Sequence, residues 1–180
     1  MKIVLATPLY PPDIGEAAAY SKEAARRLSE KHDVTVVAYG RLPENVPEVR
    51  VISVSKQRPV LVRLFEYTVA LIREARDADV IYAQNGASVE LPVVVASLFT
   101  RTPFILHIAD APAHGRSKKS AVLGFIQGLA HNRARTVFAD MPLERPEILP
   151  FEPYPEGDVA SYEASWREHL GTLERILRHE

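Results

Sequence analysis

The chain has 180 residues, of which 47% are hydrophobic and 25% charged, with a formal net charge of −1. That is long enough for one domain with a full core and short for two, and near-neutrality gives no global field favouring nucleic acid or an anionic membrane. Cysteine is absent, which excludes disulfides, thiolate zinc sites and a cysteine nucleophile.

Strand and helix patterns alternate along the chain. "KIVLAT" (2–7) is a continuous apolar run of the kind buried on both faces of a sheet. A proline-rich loop follows, and residues 16–31 read as a helix with Ala17, Ala24 and Leu28 on one stripe. "DVTVVAYG" (33–40) and "VRVISVS" (49–55) are β-branched strands separated by the loop 41–48. Residues 60–77 form a helix with Leu61, Phe65, Val69, Ile72 and Arg76 at helical spacing. "DVIYAQN" (79–85) is a strand, and 87–101 a helix carrying Pro92 in its first turns. "PFILHIAD" (103–110) is another buried strand. Ser117 or Ser120 caps a helix running to about Arg133, and "TVFADM" (136–141) closes the strand series.

The expected fold is α/β: one Rossmann-like, doubly wound, mostly parallel sheet with helices on both faces. This domain occupies residues 1–141. Residues 142–158 contain five prolines and read as an extended crossing linker. In 159–180, Val159, Tyr162, Trp166, Leu170, Leu173 and Leu177 mark one face of a terminal helix expected to pack back on the domain.

Such sheets bind ligands at the carboxyl ends of strands, which points to the loops at 7–16, 84–88 and 109–116. The first loop ends at Gly15 with Glu16 opening the helix, where N–H groups and the helix dipole favour an anion. It is neither a P-loop nor a dinucleotide fingerprint, and the six histidines show no metal spacing, so no cofactor or metal is expected. An acid at this position is foremost a partner for the dipole, and it would repel a bound phosphate. His107, mid-strand, reads as a hydrogen-bonded core histidine, while His114 in "DAPAHGRSKK" is a better ligand contact. Asp110 either caps its loop or receives a hydroxyl. Gln84 and Asn85 are amides able to bond sugar hydroxyls or to shape a turn. Residues 116–135 are basic at both ends around Val122, Phe125, Ile126 and Leu129. They read first as an amphipathic core helix and second as a peripheral contact with anionic lipid.

The sequence lacks a signal peptide's apolar region and any run of ~20 apolar residues, so the cytoplasm is the expected location. Asn and Gln total six, Arg outnumbers Lys 16 to 6, and there are 14 prolines, a composition that hints at a thermophile.

The opening "KIVLATPLYPPDIGEAAAYSKEAARRLSEKHDVTVVA", with "DVIYAQNG" and "TPFILHIAD", resembles the N-terminal half of retaining GT-B-type glycosyltransferases of the large family-four group. The resemblance covers about residues 1–140, and "YEASWREHLGTLERIL" is similar to the family's last helix. It implies metal-independent hexosyl transfer from a nucleotide-sugar, with the acceptor held by this N-terminal domain. On that reading Tyr10, Gly15, Gln84, Asn85, Asp110 and His114 line the acceptor pocket. Two positions depart from the family pattern: Glu16 replaces the second glycine of its pair, and Ala109 stands where its histidine precedes Asp110. The histidines of its "HAH" strand fall on Tyr82 and Gln84. Some 17 residues of linker stand where the family's donor domain would be. The resemblance therefore implies an acceptor domain, inactive alone, taking a sugar or lipid-linked acceptor and working with a separate donor-domain protein. The alternative is a non-catalytic binding or scaffold protein of the same fold, natural or engineered. Neither reading involves nucleic acid, and a homodimer is compatible with both.

Overall fold

The computed structural model describes residues 1–13, 16–40, 43–108, 120–139, 147–148 and 159–179. Its strands are β1 (Lys2–Thr7), β2 (Asp33–Tyr39), β3 (Val49–Val54), β4 (Val80–Gln84), β5 (Phe104–Ile108), β6 (Thr136–Ala139) and the two-residue β7 (Glu147–Ile148). The helices are α1 (Glu16–Ser29), α2 (Val60–Ala75), α3 (Ala87–Thr100), α4 (Ala121–Arg133) and α5 (Val159–Arg178). The strands form a single sheet in the order β3-β2-β1-β4-β5-β6-β7. Every pairing is parallel, including β2 with β3, whose short connection carries no helix. The expectation of a mostly parallel sheet is thus tightened to an all-parallel one.

Topology dictates which helix lies where. The path from β1 to β2 runs one way across the sheet, and those from β3 to β4, β5 and β6 run the other way. Right-handed crossovers then place α1 on one face and α2, α3 and α4 on the opposite face. The two buried clusters record this division. Ile3, Leu5, Val36, Tyr82, Ile105 and Phe138 pack with α1 and α5. Val4, Ala6, Ile81, Ala83, Phe104 and Leu106 pack with α2, α3 and α4. Alternation along each strand sends successive side chains to opposite layers, so both faces need apolar residues.

Alone, α1 could not cover β4, β5 and β6 on its face. Helix α5 does so with Trp166, Leu173, Ile176 and Leu177, all buried. Tyr20 of α1 stacks on Trp166 at 5.7 Å between centroids. Arg27 of α1 donates two hydrogen bonds, 2.6 and 2.7 Å, to the Glu163 carboxylate, and its guanidinium lies 5.0 Å from the Trp166 ring centroid. At the far end, Arg135 beside β6 donates at 2.6 Å to the carbonyl of Leu177, placing a cation at the negative end of the α5 dipole.

The stripe read on α2 requires correction. Leu61 and Phe65 are 79% and 70% exposed, and Val69 is exposed too; the face that meets the sheet carries Tyr67, Leu71, Glu74 and Ala75. Helix α2 is apolar on two sides, and Tyr67 decides its orientation. Its hydroxyl donates to the carbonyl of Val37 at 2.8 Å and its ring stacks on Tyr39 at 4.3 Å. Leu61 and Phe65 have no equivalent partner.

Removing a large buried side chain from the layer between α5 and the sheet leaves a cavity that only partly collapses. Leu173→Ala is expected to cost about 2–5 kcal/mol in urea unfolding. Trp166 is expected to emit at the short wavelength of a buried indole and to shift red across the same transition.

Candidate functional site

The strand order reverses direction between β1 and β4, and at their carboxyl ends the chain leaves toward opposite faces. Crevices of this kind are where doubly wound sheets hold ligands. Here the edge is formed by Thr7 and the loop after it, by Gln84, Asn85 and Gly86, and by the first turns of α1 and α3.

Gln84 lies at the centre and is buried. One end of its side-chain amide is 2.6 Å from Thr7 Oγ1 and 2.9 Å from Ser21 Oγ. Both hydroxyls have backbone carbonyls for their protons, Leu9 for Thr7 and Ala17 for Ser21. A hydroxyl has one proton, so the amide meets this pair best with its NH2 group and turns its oxygen the other way. The outward end is buried and has no hydrogen-bond partner among the described residues. Gln84 therefore ties β1, α1 and β4 together and keeps one polar atom unspent.

Tyr10 is buried with its hydroxyl unpartnered among the described residues. Burial, and secondarily the Glu44 carboxylate, pushes its pKa up to about 12. The loop carrying it is pinned from the β2–β3 connection, where the Glu44 N–H donates to the Pro11 carbonyl at 3.0 Å. Lys22 reaches Glu44 at 2.7 Å, and Lys56 reaches Asp13 at 2.5 Å. Asn85 is buried as well, its N–H bonded to the His107 carbonyl at 2.8 Å. So Tyr10, Gln84 and Asn85 are gathered at one edge, inside it rather than open to solvent. Gly15, Ala109, Asp110 and His114 lie outside the described residues. Glu16 is the first residue of α1, and its side chain also lies outside the description.

Glu90 was not a candidate from sequence. It is buried in the first turn of α3, and its carboxylate accepts from the Gly86 N–H at 3.2 Å. Burial holds its pKa above the usual carboxylate value, and the Gly86 hydrogen bond opposes this in part. Gly86 has φ +140°, a conformation reserved for glycine, and leaves the α3 start without a side-chain cap. The signal was present as a glycine followed four residues later by an acid, close to a capping box with the acid one position further on.

Beneath this edge runs a line of buried polar side chains. His169 Nε2 is 2.8 Å from the Tyr20 hydroxyl, which is 2.8 Å from the Tyr82 hydroxyl, which is 2.7 Å from His107 Nδ1. His107 stacks on Phe138 at 4.6 Å and is fully buried, the hydrogen-bonded core histidine that its mid-strand place implies. Among the described residues no cluster of His, Asp and Glu could hold a metal ion, and no helix is long and apolar enough to cross a membrane.

The sequence model of a family described as "Glycosyl transferase 4-like domain" matches residues 15–159. In three dimensions the chain is similar to HepE of Anabaena in complex with UDP, with TM-score 0.56 and 21% identity over 78% of this chain and 38% of that one. It is also similar to a "putative UDP-N-acetylglucosamine 2-epimerase" from Listeria monocytogenes, with TM-score 0.54 and 11% identity over 76% of this chain and 38% of that one. A third likeness is to the C-terminal domain of the coenzyme A biosynthesis bifunctional protein CoaBC, with TM-score 0.53 and 12% identity over 99% and 97%. At these identities the likeness is one of fold, and the chain spans 38% of the length of HepE. No curated protein matches in sequence.

A buried carboxyl with a raised pKa opposes folding when ionised. Its cost is absent below the unfolded pKa and complete above the folded one. Glu90→Gln keeps an acceptor for Gly86 and removes that cost. Its melting temperature is expected to exceed that of the wild type at pH 8 and to converge with it below about pH 4.5. Tyr82→Phe removes two bonds of the polar line and is expected to cost about 1–3 kcal/mol in denaturant unfolding.

Proposed function

The chain belongs to the glycosyl transferase 4-like domain family, and on that premise we propose that it is an acceptor-side domain. It holds a sugar or lipid-linked acceptor while a donor-binding domain supplies the nucleotide-sugar. The observation that carries this reading is Glu90, whose carboxylate occupies the Gly86 N–H at the start of α3. A helix start at the ligand edge is the natural seat of a diphosphate. Here one such start holds the protein's own acid, and the other opens with Glu16. The Glu90 carboxylate at the Gly86 N–H disfavours a nucleotide diphosphate there and leaves neutral hydroxyls as the suitable ligands. The unspent amide end of Gln84 suits a hydroxyl in the same way.

A second reading, a non-catalytic scaffold, is favoured by the burial of Tyr10, Gln84 and Asn85, which hold the edge together as well as line it.

The purified chain is expected to consume neither UDP-hexose nor GDP-hexose, and to show no UDP binding tighter than millimolar by calorimetry. Saturation-transfer NMR with neutral hexosides separates the two readings. Transfer to the saccharide supports an acceptor site, and its absence supports the scaffold. Turnover of a nucleotide-sugar by the chain alone would overturn both.

A further inference from the structure

Helices α2, α3 and α4 lie side by side on one face of the sheet, with α3 packed against both neighbours. Their outer surface is unusual for a soluble protein. Val60, Leu61, Val62, Phe65 and Val69 of α2 are exposed, as are Leu98 and Phe99 of α3 and Val122 and Phe125 of α4. Phe125 is 71% exposed, close to the value for Phe65. Contiguous apolar surface of this kind marks a site of contact.

Charge indicates what the contact is. Residues 56–76 carry five basic and two acidic side chains, and residues 116–135 carry five basic and no acidic ones, of which Arg135 is turned to the end of α5; the rest of the chain carries twelve basic and twenty-one acidic. Of the three carboxylates on α2, α3 and α4, Glu74 and Glu90 are buried, so Glu66 is the only one turned toward solvent. Lys56, Arg58 and Arg63 surround the first turn of α2, where Val60, Leu61 and Phe65 protrude. Val122 and Phe125 protrude likewise from the first two turns of α4, which contains no acid. Both helices begin at the carboxyl edge of the sheet, and their N-termini add positive dipole ends there. Bulky apolar side chains, flanked on α2 by basic ones and with Glu66 the one acid turned to solvent on these helices, complement an anionic lipid surface. Two copies of the chain meeting through this face would bring like charges together, which opposes a dimer.

We propose that the outer face of α2, α3 and α4 docks on an anionic lipid bilayer, with Leu61, Phe65, Val122 and Phe125 entering the headgroup boundary. The chain's near-zero net charge conceals this bias, since the rest of the sequence carries the compensating acid. The inference stands apart from the acceptor-domain reading, because none of these residues belongs to the crevice between β1 and β4.

The test is co-sedimentation of the full chain with vesicles of phosphatidylcholine containing about a third phosphatidylglycerol, beside vesicles of phosphatidylcholine alone. Binding to the anionic vesicles is expected, at least tenfold tighter than to the neutral ones and weakened by salt. Phe65→Ser combined with Phe125→Ser is expected to reduce it at least tenfold while leaving the melting temperature unchanged, because both side chains are exposed. Arg58→Ala and Arg63→Ala are each expected to weaken it about fivefold. No binding to anionic vesicles, or binding indifferent to the two serine substitutions, would overturn the proposal. So would a dimer in sedimentation velocity that the same two substitutions dissociate, which would assign the face to a second copy.

Discussion

A parallel sheet buries both faces or does not form, and the order of these strands makes one face hard to cover. Three successive crossovers move in one direction and deposit α2, α3 and α4 together, while among the described residues α1 is the only helix that a crossover places opposite. The remaining face of β4, β5 and β6 has to be closed by a segment that is not a crossover. Helix α5 is that segment, and the contacts that hold it are correspondingly varied. Apolar burial of Trp166 and Leu173 supplies most of the driving force. The Arg27–Glu163 pair fixes the rotation of the helix, and Arg135 fixes its end. The His169–Tyr20 bond joins it to the polar line that reaches β5.

The six longer strands were legible in the sequence because burial on both faces leaves little ambiguity, as in "KIVLAT" and "PFILHI", whereas the two-residue β7 falls in the stretch read as a linker. Helix positions were legible for the same periodic reason, and Ser120 caps α4 as its hydroxyl chemistry suggests. Orientation was not legible for α2. Periodicity reveals that a stripe exists, and α2 has two, so only the long-range bonds of Tyr67 to Val37 and Thr7 select the inner one. At the crevice, Gln84 and Asn85 were found through their place at a strand end. The sequence could not reveal that Thr7 and Ser21 already engage Gln84, since those partners stand 77 and 63 residues away. Glu90 escaped notice because its significance depends on burial, and an acid in a first helical turn is ordinarily exposed.

The crevice and the apolar face share the carboxyl edge of the sheet. A bilayer under α2 and α4 would hold that edge close to the lipid, so an acceptor carried on a membrane anchor would need to rise only a short way to reach the strand ends. The two proposals are independent in their residues, yet the topology makes them geometrically compatible: in a parallel sheet joined by crossover helices, α2, α3 and α4 each follow the carboxyl end of a strand.

The reliance on α5 also has a kinetic side. Its residues follow all of the long strands in chain order, so its contacts with α1 span well over a hundred positions, as the 136-residue separation of Arg27 and Glu163 shows. Contacts of such range form late and slow the search for the native state. During synthesis the side of β4, β5 and β6 bearing Tyr82, Ile105 and Phe138 exists before the helix that will shield it. That interval, rather than any weakness of the finished molecule, is when this chain is most exposed to aggregation.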